Sequence, residues 1–219
     1  MTEEEWLTCT DPAPMLEFLK GKASDRQLRL LAVACCRAVW DSLTHGRSRR
    51  AVEMAEQYAD GLIDEAGLHR AHSMAADAVV SYHEVQFRGR RGPNRDGPSL
   101  AGWRLSFAAD SAHTHKPFLI GRLRPLRHDP DLSLLAPRLI RDIFANPFRP
   151  VPLDPAWLTS TVVSLAEGVY ADRAFDRLPV LADALEDAGC DSAEVLGHGR
   201  GPGPHARGCW VVDLLLGKA

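Results

Sequence analysis

The sequence predicts an all-α protein of about eight to ten packed helices, arranged as helical hairpins, with a Gly/Pro-rich C-terminal loop. Apolar residues recur at steps of three and four, as at Leu28, Leu31, Cys35, Val39 and Leu43, and this spacing places them on one helix face. Capping residues and helix-ending glycines separate these runs. The sequence also lacks the longer alternating apolar runs that would indicate β-strands.

The first 87 residues contain two short helix signals. Thr2 precedes three glutamates, an N-cap followed by acidic residues that favour the positive end of a helix. Asp11 and Pro12 precede a second short run, Ala13–Leu19, and Gly21 ends it. We therefore expect two short helices at the N-terminus.

Three longer helices should follow within the same region. Ser24 precedes a helix that is apolar on both sides and that His45 ends, which predicts a buried central position. Ser48 is the expected N-cap of the next helix, and Asp64 begins a further one that runs to about Val85. Residues 1–87 thus form a predicted N-terminal helical region.

Residues 88–130 are predicted to be a basic linker and irregular region. Their first eleven residues, RGRRGPNRDGP, contain no apolar side chain, so we expect an exposed, mobile connection over 88–98. Leu100–Ala112 is a predicted helix, and the segment 113–130 is interrupted by prolines and a glycine. The helical region 131–219 follows, and the three regions can pack as one domain.

Two helices are predicted between residues 131 and 170. The first is Leu132–Phe144, with Pro137 near its start. After an extended proline-rich connection, Asp154 and Pro155 supply an N-cap and a proline at the first helical position. The second helix has four expected inward-facing residues: Leu158, Val162, Leu165 and Val169.

The end of the chain predicts two more helices around a loop. Asp172 or Asp176 should cap a helix whose first turn accommodates Pro179 and which Gly189 ends. A Gly/Pro-rich loop, GHGRGPGPHARGCW, then leads into a short apolar helix that begins at Trp210.

That loop belongs to a constellation of metal-ligand residues, Cys190-x7-His198-x6-His205-x3-Cys209. Two thiols and two imidazoles are a sufficient ligand set for tetrahedral zinc, although the spacing matches none of the common zinc-finger patterns. A zinc ion would fasten a loop that has little to bury. In the simpler interpretation, Cys190 and Cys209 are small buried apolar residues and the histidines make ordinary hydrogen bonds.

A catalytic interpretation of the same residues is a cysteine-dependent enzyme. Cys209 would be the nucleophile and His205 or His198 the base, since a helix start lowers the pKa of a thiol. No Asp or Asn is clearly placed in the sequence to orient the base. The histidine pair His69 and His72, three residues apart on a predicted helix, is expected to face solvent.

Charge distribution suggests a third hypothesis, nucleic-acid binding. Residues 88–128 hold nine basic and two acidic residues, a surplus of +7 in a chain of net charge −3, so the remainder carries −10. This basic belt includes Arg88, Arg90, Arg91 and Arg95. Its aromatic residues are sparse for a stacking platform, and packing against the acidic flanks is the simpler expectation.

Cysteine usage and the N-terminus indicate a cytoplasmic protein. The five cysteines are an odd number, and two of them, Cys35 and Cys36, are adjacent in an apolar helical run, which is not typical of a secreted disulfide framework. The acidic opening MTEEEWLTC is not a signal peptide, and no apolar run is long enough for a membrane span.

Several long phrases resemble a paralogous family that is abundant in planctomycete bacteria such as Gemmata. They are EEWLTCTDPAPMLEFLKGKASDRQLRLLAVACCRAVW, NPFRPVPLDPAWL, RAFDRLPVLADALEDAGC and GPHARGCWVVDLLLGK. The resemblance covers most of residues 1–85 and 138–219. It implies a bacterial and cytoplasmic origin, and it carries no activity and no catalytic residues with it.

With no convincing catalytic constellation, the sequence favours a protein-binding or scaffold module of unknown partner, and a structural zinc in its C-terminal loop is one hypothesis for that loop. The cysteine-dependent enzyme and the nucleic-acid binder remain the alternative hypotheses.

Overall fold

A computed structural model describes residues 1–87, Arg104, Phe107 and 129–218, with only the backbone for residues 81–87. Within these residues the fold is all-α, as predicted, with ten α-helices, three short 3₁₀ turns and no strand. The helices are α1 (Glu3–Thr8), α2 (Pro12–Leu19), α3 (Asp25–Ala38), α4 (Gly46–Ala59), α5 (Glu65–Phe87), α6 (Ala136–Phe144), α7 (Ser160–Asp172), α8 (Leu178–Asp187), α9 (Ala193–Arg200) and α10 (Trp210–Leu215). The predicted connection 88–98, the predicted helix Leu100–Ala112 and most of the basic belt lie outside the described residues.

The chain forms two compact units. The central unit is Thr10–Ala136, and the terminal unit combines Met1–Cys9 with Pro137–Ala219. The sequence predicts residues 1–9 as part of the N-terminal helical region, whereas the structure groups them with residues 137–219.

Trp6 on α1 is what joins the first nine residues to the terminal unit. Its side chain is fully buried, and its indole Nε1 donates to the carbonyl of Ala145 at 3.0 Å. In return, Arg141 on α6 donates to the carbonyls of Trp6 and Cys9, both at 2.6 Å. These contacts join distant parts of the chain, so local sequence patterns cannot predict them.

In the central unit, α3 packs against α4 and α4 against α5. The N-caps Thr2, Asp11 and Ser24 accept hydrogen bonds from their helices as predicted; Thr2 belongs to the terminal unit.

The prediction that Ser48 is the N-cap of α4 is wrong. Helix α4 begins at Gly46, His45 Nδ1 accepts from the amide of Arg47 at 3.3 Å, and Ser48 is buried inside the first turn.

Helix α3 is shorter than predicted. It ends at Ala38, and a 3₁₀ turn, Trp40–Ser42, follows where the prediction continued the helix to His45. The guanidinium of Arg49 donates to the carbonyls of Leu43 at 2.6 Å and Trp40 at 3.1 Å. A tertiary donor therefore satisfies carbonyls that a continued helix would have paired internally.

An ion-paired cluster lies within the central unit. Arg104 donates to both oxygens of the buried Asp129 at 2.8 Å and to Ser42 Oγ at 2.9 Å, and it also pairs with the exposed Asp131. Burial alone would raise the pKa of Asp129. The hydrogen bonds from Arg104 and from the amides of Asp131 and Leu132 outweigh burial and lower that pKa.

The start of helix α7 differs from the prediction. Asp154 does cap a turn, accepting from the amide of Ala156 at 2.9 Å, but the turn is a 3₁₀ turn, Pro155–Trp157. Helix α7 begins only at Ser160, with Thr159 as its N-cap, and Leu158 is consequently exposed rather than inward-facing.

Helix α8 has Pro179 in its first turn and Gly189 just after its end, with a left-handed φ of 89°, both as predicted. Neither Asp172 nor Asp176 caps it, because a 3₁₀ turn, Phe175–Arg177, leads directly into the helix. None of the helices in the described ranges is both long and apolar enough to cross a membrane.

Candidate metal centre

Four side chains with metal-ligand atoms converge in the terminal unit. They are Asp142 on α6, His198 on α9, His205 in the following loop, and Cys209 just before α10, and their ligand atoms all lie within 4.8 Å of one another. We call these four residues the ligand cluster. Three of them were predicted from the sequence as zinc ligands.

The fourth predicted ligand, Cys190, is not in the ligand cluster, and Asp142 occupies the remaining position. Cys190 is instead buried in the apolar core of the terminal unit with residues of α7 and α8. The sequence did not indicate Asp142, because it lies on a separate helix, more than fifty residues before His198, and a single aspartate there has no spacing pattern in common with the other ligands. One feature marks Asp142 as unusual: helix α6 is strongly amphipathic, yet this carboxylate lies on its buried side.

Asp142 is 2% exposed, and both of its oxygens have partners. Oδ1 lies 2.7 Å from His205 Nδ1 and 3.1 Å from His198 Nε2, while Oδ2 accepts from the amide of Ala206 at 2.9 Å. The carboxylate of Asp142 therefore links α6 to helix α9, through His198, and to the loop that follows α9, through His205 and Ala206. A buried carboxylate needs such partners to remain ionised.

His198 lies on a helix and not in the predicted loop. Helix α9 begins after Ser192, whose Oγ accepts from the amide of Val195 at 3.3 Å, and it includes the first four residues of GHGRGPGPHARGCW. Glycines weaken the helix signal in the sequence. One of them has a packing reason, since a Cβ on Gly199 would lie 3.0 Å from the Cβ of Ala182 on α8. Close packing of α9 on α8 thus depends on this glycine.

Replacing Gly199 with alanine is expected to lower the free energy of unfolding by about 1–3 kcal/mol, because the added methyl meets Ala182 and the carbonyl of Leu178. Gly197 is the matched control, with nothing within 4 Å of its Cβ position. Gly197→Ala should stabilise α9 by about 0.5–1 kcal/mol through helix propensity. Urea denaturation measures both, and equal effects of the two variants would contradict the close approach.

The loop after α9 carries His205 into the ligand cluster. While its Nδ1 faces Asp142, its Nε2 lies 3.4 Å from the carbonyl of Gly201. The imidazoles of His198 and His205 meet edge to face at 4.8 Å between ring centroids, and Trp210 lies 5.2 Å from His198. Each imidazole thus has a contact in addition to Asp142: the carbonyl of Gly201 for His205 and the indole of Trp210 for His198.

The electrostatics of the ligand cluster favour an ionised Asp142. Burial would raise the pKa of Asp142, but hydrogen bonds with His198 and His205 outweigh it and lower the pKa. Burial would lower the pKa of His205, but its hydrogen bond and charge interaction with Asp142 raise it overall.

Cys209 differs from the sequence prediction of a low-pKa thiol at a helix start. The thiol is completely buried, and burial together with the charge of Asp142 raises its pKa well above the ordinary value. Helix α10 has only six residues, so its dipole is too small to outweigh these effects. Without a cation beside it, this sulfur is a neutral thiol at pH 7.

The contacts of His198 also bear on the catalytic hypothesis. Its Nε2 lies 3.2 Å from Cys209 Sγ and 3.1 Å from Asp142 Oδ1. In a Cys–His–Asp arrangement the imidazole uses one nitrogen for the nucleophile and the other for the carboxylate. Here the same nitrogen faces both, so the three groups do not form a proton relay.

A cleft of about 270 Å³ opens beside the ligand cluster and is lined by Asp142, His198, His205, Arg138 and the Gly/Pro loop. The two histidine side chains are 18% and 10% exposed. The cleft therefore provides a route from solvent to the two imidazoles and Asp142, while Cys209 does not line it.

Among the described residues, the ligand cluster is the single group of three or more potential metal-ligand side chains. His69 on α5 is exposed and His72 half-buried, and neither belongs to such a group. All five cysteines are free thiols, and Cys35 and Cys36 are buried in α3.

Comparison with protein-family models, with curated proteins and with solved structures finds no match for this chain.

Proposed function

We propose that the protein is a non-enzymatic helical binding or scaffold module whose terminal unit holds a structural zinc ion between Asp142, His198, His205 and Cys209. The observation that carries the proposal is the convergence of these four ligand atoms from four separate segments of the chain. An aspartate oxygen, two imidazole nitrogens and a cysteine sulfur are all established zinc donors.

The distances support tetrahedral coordination. Zinc bonds of about 2.0–2.3 Å place the ligand atoms of a tetrahedral site roughly 3.3–3.7 Å apart. The atoms of the ligand cluster lie between 2.7 Å and 4.8 Å from one another, so small side-chain rotations would suffice to bring them to those separations. The amide of Ala206 and the carbonyl of Gly201 hold the non-ligand atoms of Asp142 and His205, as outer-shell partners do in zinc sites.

Two features favour a structural ion over catalysis. Four protein ligands fill a tetrahedral coordination shell and leave no position for substrate. The high pKa of the Cys209 thiol disfavours a free nucleophile, whereas a coordinated zinc ion would hold the sulfur as thiolate. Both features weigh against the cysteine-dependent enzyme.

The ion would fasten the C-terminal loop to α6, and the module would then present a stable surface to a protein partner in a bacterial cytoplasm. Nucleic-acid binding through residues 88–128 remains the third hypothesis, since most of that basic belt lies outside the described residues.

Elemental analysis of protein purified without chelators tests the zinc proposal. We expect about one equivalent of zinc per chain in the wild type and in Cys190→Ser, because Cys190 is outside the ligand cluster. In Cys209→Ser we expect a large loss of zinc. Less than about a tenth of an equivalent of zinc in the wild type would contradict the proposal. A loss of zinc in Cys190→Ser would mean that Cys190 is a zinc ligand, as the sequence predicts.

A further inference from the structure

A second concave feature of the terminal unit lies outside the ligand cluster. It is a groove of about 640 Å³ between the proline-rich segment 149–155 and the residues that lead into α9. Trp157, 7% exposed, and the half-buried Val151 and Leu153 give it an apolar lining. This volume is in the range of ligand-binding pockets.

The groove carries an excess of negative charge. Its three carboxylates belong to Asp154, Asp191 and Glu194, against a single cation, Arg149. Arg149 already pairs with Glu3 of α1 at 2.6 Å. None of the three carboxylates forms an ion pair with another described residue, and all three residues are exposed. An occupant of this groove is therefore expected to bring positive charge.

Helix ends account for only part of this charge, since Glu194 lies in the first turn of α9, where a carboxylate is favoured. Ser192 already supplies the N-cap of α9, and Asp191 lies outside the helix, before the cap. Asp154 uses Oδ1 to cap the 3₁₀ turn and lies at the edge of the groove. Asp191 is neither the N-cap nor a first-turn residue, so its charge beside the apolar lining is more than the local helix ends require.

The wall of the groove is mainly extended: residues 150–154 lie outside any helix or turn, between a turn that ends at Arg149 and the 3₁₀ turn that begins at Pro155. Arg149, Val151 and Asp154 each precede a proline, which disfavours the helical conformation at all three positions. Asp154 has the extended dihedrals φ −86° and ψ 121°. An extended peptide can lie along such a wall, with alternate side chains directed into the groove.

We propose that this groove binds an extended basic peptide segment of a partner protein. Trp157 and Leu153 would contact its apolar side chains, and Asp191 and Glu194 would pair with its arginines or lysines. This inference rests on the proposed binding role and names the chemistry of the partner, but it does not require the zinc ion.

Fluorescence anisotropy with a labelled nine-residue peptide that alternates arginine and valine tests the groove, with a glutamate–valine peptide as the negative probe. The double variant Asp191→Lys/Glu194→Lys should weaken binding of the basic peptide at least about tenfold. The matched control is Asp183→Lys/Glu186→Lys, which changes the net charge equally at an exposed pair that contacts Arg200. That control should change the affinity less than about twofold.

Three outcomes would overturn the peptide groove: no binding of the basic peptide, equal weakening by both double variants, or equal binding of the two peptides. Self-association that only the Asp191→Lys/Glu194→Lys variant abolishes would assign the groove to a second copy instead. Elemental analysis of the same samples separates the two proposals. If the protein contains zinc but does not bind the peptide, only the groove proposal is contradicted. If it binds the peptide but contains no zinc, only the metal-site proposal is contradicted.

Discussion

Replacing Cys209 with serine is expected to destabilise the terminal unit by about 3–4 kcal/mol when free zinc is 100 to 1,000 times its dissociation constant, because an ion that binds only the folded state stabilises it by that amount. Serine keeps the size and hydrogen-bonding capacity of the side chain but is a poor zinc ligand. The variant should therefore also lose the response to zinc and to chelators. Thermal unfolding with added zinc and with EDTA measures both effects.

Cys190→Ser is the control, since both cysteines are buried in the terminal unit and only Cys209 belongs to the ligand cluster. Burying a hydroxyl in place of Cys190 should cost about 1–3 kcal/mol, but the melting temperature of this variant should still rise with zinc. A wild-type protein whose melting temperature is the same in zinc and in EDTA would rule out a structural ion.

Replacing Asp129 with asparagine is expected to cost about 3–5 kcal/mol at pH 7, because it removes one partner of a buried ion pair and leaves the Arg104 guanidinium only partly compensated. Asp131 is the matched control on the same guanidinium. Its side chain is 67% exposed, so Asp131→Asn should cost less than about 1 kcal/mol. Urea denaturation of the three proteins gives the comparison.

The effect of Asp129→Asn should depend on pH. The folded-state pKa of Asp129 is below its ordinary value of about 3.9, so the unfolded chain binds this proton more readily. The stabilisation by this carboxylate is therefore complete above about pH 5 and is lost as pH falls through the folded-state pKa. The difference in the free energy of unfolding between the wild type and Asp129→Asn should therefore become smaller at low pH. A constant difference between pH 7 and the acid limit would mean that ionisation of Asp129 does not stabilise the fold.

Some helix ends were predicted correctly from a cap or a helix-ending glycine beside an apolar repeat. Ser24 before the Leu28–Leu31 repeat, and Gly189 after Leu185, correctly located the start of α3 and the end of α8. The prediction failed at Ser48 and at Asp154, where a plausible cap residue lies within a few positions of the true helix start. Local propensity ranks several starts almost equally, and tertiary packing selects one of them.

The candidate metal site was also predicted only in part from the sequence. His198, His205 and Cys209 were found because they lie within twelve residues of one another in the sequence. Cys190 fitted the same pattern but faces the apolar core. Asp142 was missed because only the packing of α6 beside the loop brings its carboxylate within 2.7 Å of His205.

The sequence by itself determined the all-α class, most helix positions and three residues of the ligand cluster, because these follow from short-range periodicity, capping and spacing. Only the tertiary structure decided that residues 1–9 belong with the C-terminal helices, that Gly199 allows α9 to pack on α8, and that Asp142 completes the cluster. Each of these depends on contacts between segments far apart in the chain, and such contacts are fixed by the shape of the packed core and not by local patterns.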